Sequence, residues 1–322
     1  MKNNNRNQTI DLIRILACFM VIFCHVNVPG NANTYIMALA RFAVVYFLLI
    51  SGWFLWKKDN LNNTKKYLKS TICFTVKSII FITIINIIVG LINYQGPFDW
   101  FINYWKQNDH ALRNFLLYNR AVFLSSVMWY LFALIYVIII YYLISKFKLL
   151  KKSYFIIIPL IIVNIYLGYN NYEWYYSGNW LLTSLPFLLL GSYIHATNLQ
   201  KKVSNKLSII LIILGIIITI IEAYFHSGLI IYIGTIPIGL GIFFLGLNNQ
   251  VNTPIWISNF GRYCSPIIFI IHCSLRDLLY NIFGNPKNNI LLWLMPMIFF
   301  IISSLISIIY IKIKKTLCKT IS

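Results

Sequence analysis

The sequence predicts an all-α, polytopic membrane protein: about ten transmembrane helices in one bundle, a single domain over 1–322, both termini cytoplasmic. Three observations carry this. Apolar runs near 20 residues long recur from end to end, the length a helix needs to cross a bilayer. Charged residues make up 11% of the 322 positions, where a soluble domain carries about 25%. Lys and Arg gather in short clusters between alternate pairs of apolar runs, as the positive-inside rule requires of cytoplasmic loops.

The spans fall at about 9–29, 41–57, 75–93, 121–145, 153–169, 180–197, 207–225, 229–247, 263–283 and 290–311. Lys2 and Arg6 precede the first. Lys57, Lys58, Lys65, Lys66 and Lys69 follow the second, Lys146, Lys148, Lys151 and Lys152 the fourth, and Lys201, Lys202 and Lys206 the sixth. Arg262 stands before the ninth, and Lys312, Lys314, Lys315 and Lys319 close the tenth. With ten spans all of these lie on one side. The net charge of +20 therefore reads as topology, not nucleic-acid binding. The first run is long and no small-residue cleavage site follows it, so a cleavable signal peptide is not expected. The six cysteines form no CxxC pair and mostly sit in apolar runs; neither a disulfide framework nor a metal site is expected. The composition points to a multi-pass protein of a bacterial cytoplasmic membrane, with lipid as its surroundings.

Two outer loops are aromatic: "GPFDWFINYWKQNDHALRNFLLYN" around Trp100, and "YNNYEWYYSGNW", with Glu173 and Trp174. Two readings stand: interfacial anchoring, and a surface on which sugar rings stack.

Chemistry enters through polar residues that hydrocarbon would penalise. In "DLIRILACFMVIFCH" Arg14 and His25 are eleven positions apart, three helical turns plus about 20°, so they share a face about 16 Å apart along the axis. Asp11 falls near that face, at pairing distance from Arg14. His272, Arg276 and Asp277 form a second polar set, Glu222 and His226 a third, and Arg41 opens the second span. An arginine fork holds phosphate well. Histidine exchanges protons near neutral pH. A hydroxyl acceptor is a poor nucleophile until a base takes its proton. The pattern fits acyl transfer from a phosphate-bearing donor such as acetyl-CoA, the cofactor-like partner, with His25 as base and Arg14 toward the donor. Glu222 is a candidate to orient His25. His272 and Arg276 are candidates to line the same passage.

Several ordered motifs resemble the acyltransferase-3 family of integral membrane acyltransferases: "RNQTIDLIRILACFMVIFCH", "RFAVVYFLLISGWFL", "MWYLFALI" with Trp129 and Tyr130, "PFLLLGSYI" and "GRYCSPIIFIIH". The resemblance implies ten core helices, acyl transfer from acetyl-CoA to extracytoplasmic glycans or lipid-linked sugars, and roles for Arg14, His25 and Arg41. Pro266 stands where the family often has an aromatic. No segment resembles the hydrolase-like domain of some members, so the chain is expected to complete transfer itself or to hand the acyl group to a partner. On this reading Asp11, Arg14, Arg41, His272 and Arg276 serve the donor, and Trp129, Tyr130, Glu173 and Trp174 the acceptor. Some relatives belong to amino-acid racemases and are thought to import serine, so a transporter of a small amino acid is the alternative, with a glycan-export component behind it. A homo-oligomer is compatible with all three.

Overall fold

The computed structural model describes residues 7–57, 61–170 and 172–320. Lys2, Arg6 and Lys58 of the basic clusters lie outside the described residues. Among these residues the chain is helical throughout, with no strand. Ten principal helices follow in order: α1 Gln8–Phe23, α2 Phe42–Lys57, α3 Leu61–Ile92, α4 Met128–Lys146, α5 Ile157–Tyr169, α6 Leu185–Ala196, α7 Asn205–Phe225, α8 Thr235–Asn248, α9 Ser265–Phe283 and α10 Asn289–Thr320. Among the described residues seven helical stretches are long and apolar enough to cross a membrane, and Trp180–Ala196 and Thr235–Asn248 are shorter apolar ones. Helix α1, at 16 residues and carrying Asp11 and Arg14, completes the ten.

The boundaries shift where polarity hid helix or apolarity hid turns. Helix α3 begins at Leu61, well before the expected 75, with Lys65, Lys66 and Lys69 on it. Lysine is a good helix former, so its charge disguises a helical segment without breaking it. The expected span 41–57 is preceded by a helix Ala32–Ala40, and Arg41 is the joint between the two. The expected span 121–145 opens late, at Met128, because 119–127 is a chain of turns. Asn119 starts it in the left-handed conformation, its side chain donating to the Trp129 carbonyl (3.0 Å) and accepting from the Trp180 N–H (2.7 Å). The aromatic loop around Trp100 forms two short helices, Asp99–Gln107 and Ala111–Tyr118. Exposed Phe101, Ile102, Leu112 and Leu116 lie on them, the amphipathic form of an interfacial segment.

Small residues let backbones meet. A Cβ on Gly52 of α2 would lie 1.8 Å from the Leu188 carbonyl oxygen of α6, and one on Gly191 of α6 would lie 2.0 Å from the Leu49 oxygen of α2. Gly261, in the short helix Ile255–Tyr263, meets the Asp11 carbonyl in the same way, at 2.0 Å. Small residues at helix contacts are how membrane helices pack when lipid removes the hydrophobic drive between them.

The start of α1 is fastened to the end of α8 and to the chain after it. Asn7 caps Ile10 through its side-chain oxygen (3.2 Å) and donates to the Gly246 carbonyl (2.7 Å). Thr9 donates to the Asn249 carbonyl (2.7 Å), and Gln8 accepts from the Thr253 N–H (2.7 Å). Tyr46 of α2 donates to the Ile10 carbonyl (3.2 Å). The segment bearing Asp11 and Arg14 is thus held from three directions.

Candidate active site

Two chambers lie along α1, back to back. The larger, about 840 Å³, opens between the start of α1, α2, α3 and the Ser265 end of α9. That is a usual size for a ligand cavity. Arg14 and Asp11 line it, with Ser51, Tyr67 and Arg262. Arg14 donates to an Asp11 carboxylate oxygen at 3.0 Å, the pairing expected from their spacing, and sits 5.5 Å from the centre of the Phe54 ring. Asp11 is buried and also accepts from the Ser258 hydroxyl at 2.9 Å, at a helix start where the backbone dipole favours a carboxylate. Asp11 therefore orients the guanidinium instead of meeting an anion itself. Arg262, read from sequence only as a topology charge, is a second basic group at this cavity.

The smaller chamber, about 20 Å³, is lined by His25, Arg41, Cys24, Val127 and Trp129. Phe47, Tyr130 and Phe269 border both chambers and stand between them. His25 lies just past the end of α1, in a turn closed by its own N–H to the Ile22 carbonyl at 2.9 Å, rather than inside a span reaching residue 29. Its carbonyl accepts from the Arg276 guanidinium, which also grips Asp277 through two donors at 2.8 and 2.6 Å.

One set of hydrogen positions satisfies all four contacts that link His25 to the Ile268 carbonyl. His272 Nδ1 lies 3.1 Å from the Ile268 carbonyl, which can only accept, so Nδ1 is the protonated nitrogen and Nε2 the acceptor. Cys273 Sγ, 3.3 Å from that Nε2, donates to it. Ser126 Oγ donates to Cys273 Sγ at 3.5 Å and accepts from His25 Nδ1 at 3.4 Å. In that set every hydrogen points from His25 toward Ile268, and the lone pair of the His25 ring is on Nε2. Ser126 and Cys273 escape sequence reasoning because a serine or cysteine in an apolar run looks like any small packing residue. Their meeting depends on the turns at 119–127.

The sequence expectation that Glu222 orients His25 is corrected. The Glu222 carboxylate accepts from the Tyr169 hydroxyl and from the backbone N–H groups of Ile233 and Gly234, both at 2.8 Å. It caps the turn leading into α8, and the side chain that meets His25 Nδ1 is Ser126, at 3.4 Å. Glu222→Ala strands the buried Gly234 N–H and the part-buried Ile233 N–H. It should cost about 1.5–3 kcal/mol of stability, read as a lower melting temperature in detergent, with transfer per folded molecule unchanged; an unchanged melting temperature would sink this assignment.

Arg41, His272 and Arg276, expected to act with Arg14 and Asp11 on the donor, do not line the large cavity with them. Arg41 borders the small chamber, His272 is buried in the relay above, and Arg276 braces the His25 backbone. Only Arg14 and Asp11 of that group reach the large cavity. Trp129 and Tyr130, expected to serve the acceptor, border the small chamber. Trp174 and Glu173 border neither chamber; Glu173 is exposed and precedes the short helix Trp174–Ser177. The ligand atoms of His25, His272 and Cys273 lie within 4.8 Å of one another, a soft-donor set of a kind a metal ion can use. Two fixed cations, Arg41 and Arg276, flank the set and oppose a further positive charge there.

The fold is a helical membrane bundle with an arginine-lined cavity on one side of an aromatic partition and His25 on the other. The chain matches the family described as "Acyltransferase domain" over residues 7–312, nearly its whole length, and belongs to that family. It is a membrane acyltransferase, and the motif resemblance drawn from the sequence is confirmed. No curated protein and no solved structure matches the chain.

Proposed function

We propose that the protein moves an acetyl or similarly short acyl group from acyl-CoA on the cytoplasmic side to a hydroxyl of an extracytoplasmic polysaccharide or lipid-linked glycan, in a bacterial cytoplasmic membrane. The observation that carries this reading is the back-to-back pair of chambers, with Arg14 and Arg262 at one and His25 at the other, parted by three shared side chains. The large cavity lies at the end of the bundle bearing the Lys/Arg loops. Donor phosphates are held there by charge-assisted bonds from Arg14, with Arg262 adding attraction. The pantetheine arm is slim and uncharged enough to pass the partition and present its thioester near His25. His25 Nε2 takes the acceptor proton, the hydroxyl oxygen attacks the thioester carbonyl, and the CoA thiolate leaves and takes that proton from the imidazolium. Arg41 stabilises the negative charge that grows on the carbonyl oxygen.

Sealed envelope vesicles of cells producing the protein test this. Labelled acetyl-CoA supplied only at the basic-loop face should leave alkali-labile label on glycan at the opposite face. Arg14→Ala should raise the donor KM by roughly 10- to 150-fold, the loss of one charge-assisted interaction. Arg14→Lys should recover only part of this, because the planar fork is lost. Serine uptake without acyl transfer would replace this reading with a transporter.

A further inference from the structure

We propose that Phe47, Tyr130 and Phe269 set the length of the acyl group, restricting the chain to donors of about acetyl size. This rests on the reading that acyl-CoA enters from the Arg14 side. The two chambers differ about forty-fold in room, 840 against 20 Å³, and these three aromatic side chains are what they share. A donor that has threaded the partition leaves its bulky parts below, where there is space. Its acyl tail has only the chamber beside His25. One water needs roughly 10–15 Å³ on this scale, so the chamber takes a methyl-sized tip and little more.

The three rings part enough for the slim pantetheine arm, and once it fills the passage they have little room left to give to a longer acyl chain. Phe269 packs edge-on against Tyr130 at 5.3 Å between ring centres and lies 6.2 Å from the ring of His272, which the relay to His25 holds in place. Val127 is fully buried and Trp129 nearly so. On the remaining side stand Arg41 and His25, whose polar groups a longer alkyl tail would have to desolvate. An acyl chain longer by two methylenes must therefore push packed rings off their rotamers or strand a charge. Each extra methylene against a fitted apolar wall is worth about 10- to 200-fold in kcat/KM.

The test compares acetyl-, butyryl- and octanoyl-CoA, radiolabelled in the acyl group, in the same envelope vesicles, reading alkali-labile label in glycan. Wild type should prefer acetyl over butyryl by 100-fold or more and leave octanoyl-CoA unused. Phe269→Ala and Phe47→Ala should each bring the acetyl-to-butyryl ratio below about ten. The ratio is insensitive to how much protein folds, since both rates fall together. If Phe269→Ala folds poorly, Phe269→Leu should shift the ratio the same way by a smaller amount. Octanoyl transfer by wild type at the acetyl rate, or a ratio unmoved in all three variants, overturns the selector and leaves the acyltransfer reading intact. Absence of transfer with every donor in wild type overturns that reading and the selector with it.

Discussion

His25→Ala lowers acyl transfer by about 10²–10⁴-fold while the protein still inserts and folds, the range expected when a general base is lost. The imidazole is not what holds this region together. The turn at His25 is closed by backbone bonds to Ile22, and the Arg276 guanidinium grips the residue's carbonyl; both survive the substitution. What disappears is the lone pair on Nε2. Ser126→Ala makes a sharper companion, because it keeps the base and removes the acceptor at its Nδ1. Its kcat should fall by less than that of His25→Ala, with the donor KM unchanged, since Ser126 borders neither chamber. Transfer by a well-inserted His25→Ala protein at the wild-type rate would remove His25 from the chemistry.

The same residues show how far sequence reaches. The stripe of Asp11 and Arg14 on α1 follows from helical geometry, and the pair lies where that geometry places it. The ten helices were legible because each is apolar over most of its length, although Lys65, Lys66 and Lys69 concealed the first turns of α3. Partnership between distant segments was not legible. Glu222 looked like the carboxylate that orients His25 because acidic residues are rare in this chain. Its partners, Tyr169 and the backbone of Ile233 and Gly234, are decided by how α5, α7 and the turn before α8 pack. Arg41 looked like a donor ligand because it is an arginine at a span end. Only the fold shows it beside His25, at the joint before α2. The small chamber itself has no sequence signature, since Phe47, Tyr130 and Phe269 come from three separate helices.

Gly191→Leu prevents accumulation of folded protein, and Gly191→Ala lowers its melting temperature in detergent. The reason is geometric. The Cβ of even an alanine would sit 2.0 Å from the Leu49 carbonyl oxygen and 2.8 Å from its carbon, and backbone atoms in a helix cannot rotate out of the way. Carbon and oxygen approach no closer than about 3.3 Å in ordinary packed contacts, so α2 and α6 must separate by more than 1 Å. Separation opens gaps around Leu48, Leu49, Phe187, Leu188 and Leu189, all of them fully or almost fully buried at this contact. Overpacking alone costs about 1–3 kcal/mol and occasionally more, and the lost contacts add to it. The effect would also reach the site, because α2 carries Phe47 and Ser51 into the large cavity. Gly168→Ala is the control: its Cβ meets only the end of the Leu229 side chain, at an ordinary 3.4 Å, so the better helix propensity of alanine should leave stability equal or slightly raised. Thermal unfolding of the two alanine variants side by side decides the matter. Equal melting temperatures for Gly191→Ala and wild type would mean that α2 and α6 do not pack backbone to backbone.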